Sequence, residues 1–121
     1  MNNRRLQGGQ WEKLAESFLK KRGLKTLDRN YYSRFGEIDL IMVDVQTLVF
    51  IEVRYRSDST HGSGAESVTF TKQKRITRAA QRFLQHHKHY SSLACRFDVI
   101  SIGRKEGRML LHWICNAFDA V

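Results

Sequence analysis

Residues 36–56 read GEIDLIMVDVQTLVFIEVRYR and carry acidic side chains through two otherwise apolar runs. Apolar and β-branched residues fill both runs, and the short break at 44–47 separates them, which predicts a β-hairpin. A turn centred on this break places Asp39 opposite Glu52. The fold is therefore expected to form around a hairpin with two acids at facing positions.

Facing acids in a hairpin need a physical reason. Facing residues of an antiparallel pair have Cβ atoms roughly 4.5–5.5 Å apart, and like charges placed there repel each other. A divalent cation between Asp39 and Glu52 would remove the repulsion, since Mg²⁺ favours one or two carboxylates together with waters and phosphate oxygens. A nearby arginine paired with one acid, or a shifted register, would also explain the pattern.

Length and composition limit the class of protein. A chain of 121 residues forms one domain, 1–121, with a sizeable core. With 41% hydrophobic residues and no apolar run long enough to span a membrane, we expect a soluble globular protein with no membrane partner. The first residues, MNNRR, are not followed by the apolar stretch of a secretion signal, so a cytoplasmic location is the expectation.

The net charge indicates the class of partner. Lysine and arginine total 21 against 12 acids, which gives a formal net charge of +9 and a pI near 10.0. Such a balance favours a polyanion, and nucleic acid is the leading candidate. Ribosome association or binding to a membrane surface would use the same charge, so composition alone does not separate them.

An amphipathic helix is predicted at residues 10–22. Its apolar positions follow helical spacing, and Gly23 supplies the stop. On a helical wheel Glu12 lies at the edge of the apolar arc, whereas Glu16 points further toward solvent. Glu12 is therefore the acid expected to reach inward, although a first-turn glutamate that favours the helix dipole is an equal alternative.

Residues 24–32 predict a strand, so that with the hairpin they form a three-stranded meander. The polar, glycine-containing stretch 57–67 follows, and it could close over a substrate or be an ordinary connection. A second helix is predicted at 71–87. Its buried stripe is expected to be Ile76, Ala79, Ala80, Phe83 and Leu84.

The outer face of this second helix is basic. Lys74, Arg75, Arg78 and Arg82 share one arc, which suits contact with a phosphate backbone, although a solvated charged face is an equally good interpretation. Near the helix start Lys72 and Gln73 project toward the sheet. Inward polar groups are usually satisfied by a specific partner.

Histidines and cysteines give weaker signals. His86, His87 and His89 are interpreted as histidines at a helix C-terminus, because no acid or cysteine stands at matching ligand spacing. Cys95 and Cys115 lack CxxC spacing, so they predict buried thiols and no zinc finger or redox motif.

Two further strands are predicted at 95–102 and 109–115, joined through 103–108. The segment between the hairpin and residue 95 is long enough for a parallel crossover. The predicted order is αβββαββ, an α/β fold with a mixed sheet flanked by helices.

With this order and these acids, the chain resembles the YraN-like family of small uncharacterised bacterial proteins, within the restriction-endonuclease-like PD-(D/E)xK nuclease superfamily. The resemblance covers almost the whole chain. It rests on Trp11-Glu-Lys-Leu-Ala15 with Phe18-Leu19, Arg29-Asn30, Gly36-Glu-Ile-Asp-Leu-Ile41, Leu48-Val-Phe-Ile-Glu-Val-Arg54, Lys72-Gln73-Lys74 and Arg96-Phe-Asp-Val-Ile100. It implies a restriction-endonuclease-like three-layer fold with helices on both faces of the mixed central sheet.

The resemblance also implies a site. Asp39 becomes the first metal ligand and Glu52 the second, with the Val53 carbonyl as a third oxygen. Glu12 matches the first-helix acid of junction-cleaving relatives, and Gln73 stands where some relatives place a helix residue that touches the site. The implied cofactor is Mg²⁺ or Mn²⁺.

The implied activity is hydrolysis of phosphodiester bonds in DNA, branched or single-stranded forms included. Arg56 and the basic residues of the second helix would hold the anionic backbone. Nucleases of this type often work as dimers, and the unpaired edge of the strand at 109–115 could form a homodimer.

One position departs from the superfamily pattern. The expected lysine two residues after Glu52 is Arg54, which stays protonated and clamps anions, so it is a poor general base. Three outcomes follow: Arg54 is an electrostatic clamp in a slow nuclease, another lysine fills the role, or catalysis is lost and the protein is a non-catalytic nucleic-acid-binding protein. For the second outcome we hypothesise Lys72, which must then lie within about 6 Å of the two carboxylates.

Overall fold

The computed structural model describes residues 4–56 and 68–121, with side chains from residue 9 onward. The predicted loop at 57–67 lies outside the described residues. The elements are α1 (Arg4–Lys20), β1 (Lys25–Ser33), β2 (Gly36–Asp44), β3 (Thr47–Arg56), α2 (Phe70–His86), β4 (Ala94–Lys105) and β5 (Arg108–Phe118), with a short 3₁₀ helix, Lys88–Tyr90, before β4. The predicted order αβββαββ is confirmed.

The five strands form one mixed sheet in the order β1-β2-β3-β4-β5. Neighbouring strands are antiparallel except for β3 and β4, which are parallel and are connected through α2. The predicted parallel crossover is therefore confirmed, and β5 is an edge strand. Among the described residues no helix is long and apolar enough to cross a bilayer.

Each face of the sheet is covered by one helix. The α2 face buries Ile76, Ala79 and Phe83 against sheet residues such as Phe50. On the opposite face Ala15 and Leu19 of α1 pack in a second apolar cluster. The two separate clusters confirm the three-layer arrangement with helices on both sides.

The hairpin of β2 and β3 has the predicted register. Its paired positions run from Asp44 with Thr47 to Leu40 with Ile51, so Asp39 and Glu52 occupy the next facing positions. Val45 in the turn has φ 58°, a left-handed conformation that a β-branched residue adopts only under constraint. This short turn fixes which side chains of the two strands can meet.

The end of α1 differs from the prediction. The helix stops at Lys20, before the predicted residue 22, and the Leu24 amide donates to the Leu19 carbonyl at 3.2 Å. Gly23 has φ 96°, so the chain leaves the helix through a left-handed glycine. The glycine stops the helix as predicted, but the closing turn itself is not helical.

The two cysteines are not buried, which corrects the sequence-based expectation. Cys95 and Cys115 are both exposed. Cys95 lies at the beginning of β4, just outside the apolar part of that strand, and Cys115 lies on the edge strand β5. The sequence-based expectation rested on cysteine being a small apolar residue. Residue type alone did not predict that both cysteines lie at the margin of the sheet.

Asp98 explains the Arg96-Phe-Asp98 motif as a structural feature. Its side chain is fully buried in β4 and accepts hydrogen bonds from Arg96, from the Trp113 indole at 2.9 Å and from the Asn116 amide at 2.9 Å. A buried carboxylate is tolerated when donors satisfy its oxygens. This network ties β4 to the edge strand β5.

Candidate active site

The hairpin opens at Asp39. Beyond the pair formed by Leu40 and Ile51, the Val53 amide donates to Asp39 Oδ2 at 2.8 Å. The carboxylate thus accepts a hydrogen bond from a strand amide whose usual acceptor is a backbone carbonyl of the neighbouring strand. The facing acids Asp39 and Glu52 lie where the strands separate.

A cavity of about 480 Å³ lies between this opening and the beginning of α2. Residues of the hairpin form one wall, and residues just before and within the first turns of α2 form the other. The polar side chains on its walls are Glu37, Asp39, Glu52, Thr69, Thr71, Lys72 and Arg75. Asp39, Glu52 and Lys72, all predicted from the sequence as site residues, therefore line one cavity.

Glu52 is buried to 7% exposure and faces two cations. Lys72 Nζ lies 2.5 Å from Glu52 Oε2, and Arg54 Nη1 lies 3.6 Å from the same oxygen. Lys72 therefore meets the distance condition set for it with respect to Glu52. Arg54 Nε is buried and has no hydrogen-bond partner among the described residues, so this guanidinium retains an unused donor beside the acids.

The N-cap of α2 positions Lys72. The Thr69 hydroxyl accepts a hydrogen bond from the Lys72 amide at 3.1 Å, which satisfies one of the free donors at the helix start. The cap fixes the first turn, from which the Lys72 side chain extends to Glu52. Thr69 was not predicted as a site residue, although a threonine three residues before Lys72 is a recognisable capping signal.

The pKa values of Asp39 and Glu12 are both raised. Burial, followed by the negative charge of Glu52, raises the pKa of Asp39 to about 8, although the Val53 hydrogen bond opposes the shift. Burial also raises the pKa of Glu12, while contacts with the Asp39 and Asn30 side chains oppose it. Glu12 of α1 therefore does face the same group of acids, as the helical wheel predicted.

Glu16 is buried to 7% exposure, which corrects the expectation that it points to solvent. It accepts hydrogen bonds from Thr26 at 2.5 Å and from Arg29 Nε at 2.9 Å, and the Arg29 hydrogen bond lowers the pKa of Glu16. A helical wheel of α1 alone does not contain Arg29, whose position on β1 makes burial of the acid favourable. This ion pair holds α1 against β1 and so helps to place Glu12.

Of the other predicted residues, some line the cavity and others make contacts elsewhere. Arg75 lines the cavity, whereas the Gln73 side chain donates through Nε2 to the Val68 carbonyl at 3.0 Å. Lys74 lies over the Phe70 ring, 5.6 Å from its centroid. Gln73 is thus engaged in holding the chain before α2. Arg56 stands at the end of β3, paired with Gly103.

Arg78 and Arg82 line a neighbouring cavity next to Phe35. Both side chains are exposed on α2, the helix for which a basic outer face was predicted. Their position brings them close to the turn between β1 and β2. That turn was not identified from the sequence as part of any site.

His87 behaves as the sequence indicated. His87 follows α2, and its Nδ1 lies 2.9 Å from the Phe83 carbonyl, to which it donates. Its ring also stacks on Phe83 at 4.1 Å. Helix-terminal capping therefore accounts for His87 without a metal.

The oxygen donors near Asp39 suit a hard divalent cation. The N–H and C=O of one strand residue point to the same side, so the Val53 carbonyl is directed toward Asp39 together with its amide. Among the described residues no group of three or more histidine, cysteine or acidic side chains has the geometry of a metal centre. Two carboxylates and a carbonyl, completed by water and phosphate, are the ligand set that Mg²⁺ commonly uses.

Fold and site together define the class: a small α/β protein with an acid-lined cavity at the open end of a β-hairpin and a basic helix beside it. The chain belongs to the uncharacterised protein family UPF0102, whose model matches residues 11–102. The UPF0102 protein of Aeromonas hydrophila subsp. hydrophila is 52% identical over 93% of this chain and 84% of its own length. The UPF0102 protein of Pseudomonas syringae pv. syringae is 43% identical over 98% of both chains.

Proposed function

We propose that this protein hydrolyses phosphodiester bonds in DNA, with Mg²⁺ or Mn²⁺ bound at Asp39 and Glu52. One observation carries the proposal: Asp39 and Glu52 face each other in one cavity whose walls also carry cations, where burial and the charge of Glu52 raise the pKa of Asp39. A structural ion pair of Glu52 with Lys72 and Arg54 would not need the half-buried Asp39 beside it. Paired acids with a raised pKa in a cleft are typical of functional sites.

The proposed ligands are the carboxylates of Asp39 and Glu52 and the carbonyl of Val53, with Glu12 facing them from α1. A divalent cation held there supplies a Lewis acid that polarises the scissile phosphate and lowers the pKa of a bound water. The acids of the chain recruit the cation and orient it. The raised pKa of Asp39 means that binding the cation displaces a proton from this carboxyl group at neutral pH.

The cations of the cavity have separate roles in this proposal. Lys72 is the ammonium group closest to the acids, so it replaces the superfamily lysine in orienting the water or stabilising developing charge. Arg54, with a free Nε beside Glu52, clamps a phosphate oxygen. Arg75 on the cavity wall holds the neighbouring phosphate.

A second candidate function has its own support. Lys72 and Arg54 both approach Glu52 closely enough to neutralise it without a metal. In that case the protein is a non-catalytic nucleic-acid-binding protein with a degenerate nuclease site. Both salt bridges are made to Glu52, so they do not neutralise Asp39. The raised pKa of Asp39 therefore favours the nuclease.

Labelled linear, single-stranded, flapped and four-way-junction DNA, incubated with Mg²⁺, Mn²⁺ or EDTA, separates the two functions. The nuclease requires cleavage that depends on metal and is lost in Asp39→Ala, while DNA binding is kept or strengthened because a negative charge is removed. Asp119→Ala, which removes an exposed acid elsewhere, is the matched control. Cleavage that persists in Asp39→Ala excludes this site, and binding without cleavage of any substrate supports the second function.

Arg54→Lys tests the departure from the superfamily pattern. If Lys72 already fills the lysine role, this change alters the cleavage rate only modestly. Cleavage that appears only in Arg54→Lys would show that the missing strand lysine silences the natural protein. That result would contradict the role proposed for Lys72.

A further inference from the structure

A groove runs from the acid-lined cavity along α2. Three cavities follow one another between this helix and the turn at residues 33–36. Gly36 and Arg75 line the first, Phe35 and Arg78 the second, and Arg34 and His86 the third, while Arg82 borders both the second and the third. The adjacent turn residues Gly36 and Phe35 line the first and the second cavity, so the three cavities follow one another away from Asp39.

The turn and the helix are in close contact. A Cβ at Gly36 would lie 3.2 Å from Arg75 Cβ, so glycine permits this approach. The Ser33 hydroxyl accepts hydrogen bonds from the Phe35 amide at 3.1 Å and from the Gly36 amide at 3.3 Å. The turn is thus a well-supported wall that presents Arg34 to the groove.

Positive charge lines the groove. Arg75, Arg78 and Arg82 are exposed and form no salt bridge with a described residue. Arg34, from the opposite wall, lies over the Phe35 ring at 5.0 Å. Cations without acidic partners along a groove suit a polyanionic strand.

The third cavity combines this charge with aromatic rings. It measures about 470 Å³, and Tyr32, Arg34, Arg82 and His86 lie on its walls. Its inner side is fixed, because Tyr31 packs edge-on against Phe83 at 5.4 Å. Tyr32 is 75% exposed, so its ring is available to a ligand.

We propose that the third cavity binds an unpaired nucleotide of a DNA strand, with its base stacked on Tyr32 and its phosphates held by Arg34 and Arg82. This inference deepens the proposed function. It rests on that function because the nuclease proposal supplies the path of the strand to Asp39. The rise of α2 from Arg75 to His86 is about 16 Å, which spans about five nucleotides at the rise of a duplex strand. A DNA strand that reaches the acids therefore places the nucleotide about five positions away in the third cavity.

The chemistry of the cavity favours an unpaired nucleotide over other polyanions. An aromatic ring beside a basic groove is the recurrent arrangement for single strands, since each base offers a face for stacking. A duplex keeps its bases stacked on each other, so Tyr32 would contribute little to binding it. An acidic protein would use the arginines but would not require a free base.

The test is binding of fluorescent oligothymidylate in EDTA, where metal-dependent cleavage does not occur. Tyr32→Ala is expected to weaken binding about tenfold, whereas Tyr32→Phe keeps the ring and binds like the natural protein. Abasic nucleotides in the oligonucleotide should weaken binding to the natural protein and leave Tyr32→Ala unaffected. Arg34→Ala should weaken binding to intact and abasic strands alike, with Lys21→Ala, on the opposite side of the sheet, as the charge-matched control.

The outcomes separate this subsite from the nuclease proposal. Equal affinities of Tyr32→Ala and the natural protein overturn the subsite, even if metal-dependent cleavage is found. Tyr32-dependent binding with no cleavage in any metal supports the subsite and contradicts the nuclease. Tighter binding to a blunt duplex with the same loss in Tyr32→Ala, or no binding to any oligonucleotide, also overturns the proposal.

Discussion

At the scale of single residues, the charge state of Asp39 depends on its neighbours. Its pKa is raised to about 8 by burial and by Glu52, so the folded protein holds a proton that an unfolded chain releases near pH 4. Between these two values the folded state binds more protons. The free energy of unfolding therefore falls as pH rises from about 4 to about 8.

Asp39→Asn should remove this loss of stability. The amide oxygen still accepts from Val53, and the repulsion with Glu52 disappears. In EDTA we expect the variant to exceed the natural protein in free energy of unfolding by about 1–3 kcal/mol at mildly alkaline pH, with little difference near pH 4. Urea unfolding at both pH values measures this, with Asp119→Asn as the control, and a variant no more stable in alkali would contradict the raised pKa.

Lys72→Gln tests the lysine that contacts Glu52. The variant removes the cation at 2.5 Å and leaves Arg54 at 3.6 Å. We expect single-turnover cleavage at saturating metal to fall by roughly 10²–10⁴, with substrate affinity changed much less. Lys21→Gln, which removes the same charge from an exposed residue just after α1, should change the rate little, and equal effects of the two variants would indicate general electrostatics only.

Some positions in and around the site could be predicted from the sequence, and others could not. Asp39 and Glu52 follow from the hairpin register, and the inward direction of Lys72 follows from helical periodicity. Burial of Glu16 could not be predicted, because it depends on Arg29, a partner contributed by another element. Solvent exposure of Cys95 depends likewise on where the apolar part of β4 begins.

At the scale of elements, the turn between β2 and β3 sets the position of the two acids. Val45 adopts φ 58° and is 88% exposed, so its branched side chain adds strain without packing. Asparagine tolerates this conformation far better. The turn therefore offers a way to stabilise the hairpin without touching the site.

Val45→Asn should stabilise the protein by about 0.5–1 kcal/mol, because the residue no longer strains the left-handed conformation. Chemical unfolding measures the change, and Gln46→Asn, at the adjacent turn position, is the control. Metal-dependent cleavage should remain unchanged. A destabilised variant would argue against the left-handed turn at Val45.

Thr69→Ala tests the link between the α2 cap and the site. Loss of the hydroxyl acceptor for the Lys72 amide should cost about 1 kcal/mol of stability. Because the first turn then frays, Lys72 is held less firmly against Glu52, and we expect slower cleavage as well. Thr69→Ser should restore both quantities, and a variant that loses stability with full activity would show that the cap does not position Lys72.

The succession of elements was predictable because period and length differ clearly between strands and helices. The helix between β3 and β4 implied the parallel crossover, and the turn at 44–47 implied the register. Exact ends were less predictable: β4 extends to Lys105, beyond the apolar run, because it pairs with β5 as far as Arg108. Such pairing depends on the partner strand, so it cannot be predicted from the sequence of one segment.

At the scale of the whole molecule, the net charge of +9 is unevenly distributed, and the sequence alone predicts only part of this distribution. The acids converge at one end of the groove, whereas the arginines of α2 line its course. Helical periodicity predicted the basic face. It could not predict that the turn at 33–36 forms the opposite wall, because that contact joins distant parts of the chain.

The double variant Arg78→Ala, Arg82→Ala should weaken DNA binding and flatten its salt dependence. Each lost phosphate contact reduces the slope of log affinity against log salt by about 0.7–0.9, so the expected change is about 1.4–1.8. Fluorescence anisotropy across a salt series measures it. Lys20→Ala, Lys21→Ala removes the same charge at the end of α1, and an equal change of slope there would mean that net charge alone governs binding.

The most direct measurement of the central claim, that Asp39 and Glu52 bind a divalent metal, is calorimetric titration of Mn²⁺ at neutral pH in buffers of different protonation enthalpy. We predict binding accompanied by release of up to about one proton, because the metal displaces it from Asp39. Both the binding and the proton release should be lost in Asp39→Asn. Absence of Mn²⁺ binding with and without bound oligonucleotide, or binding unchanged in Asp39→Asn, would contradict the account.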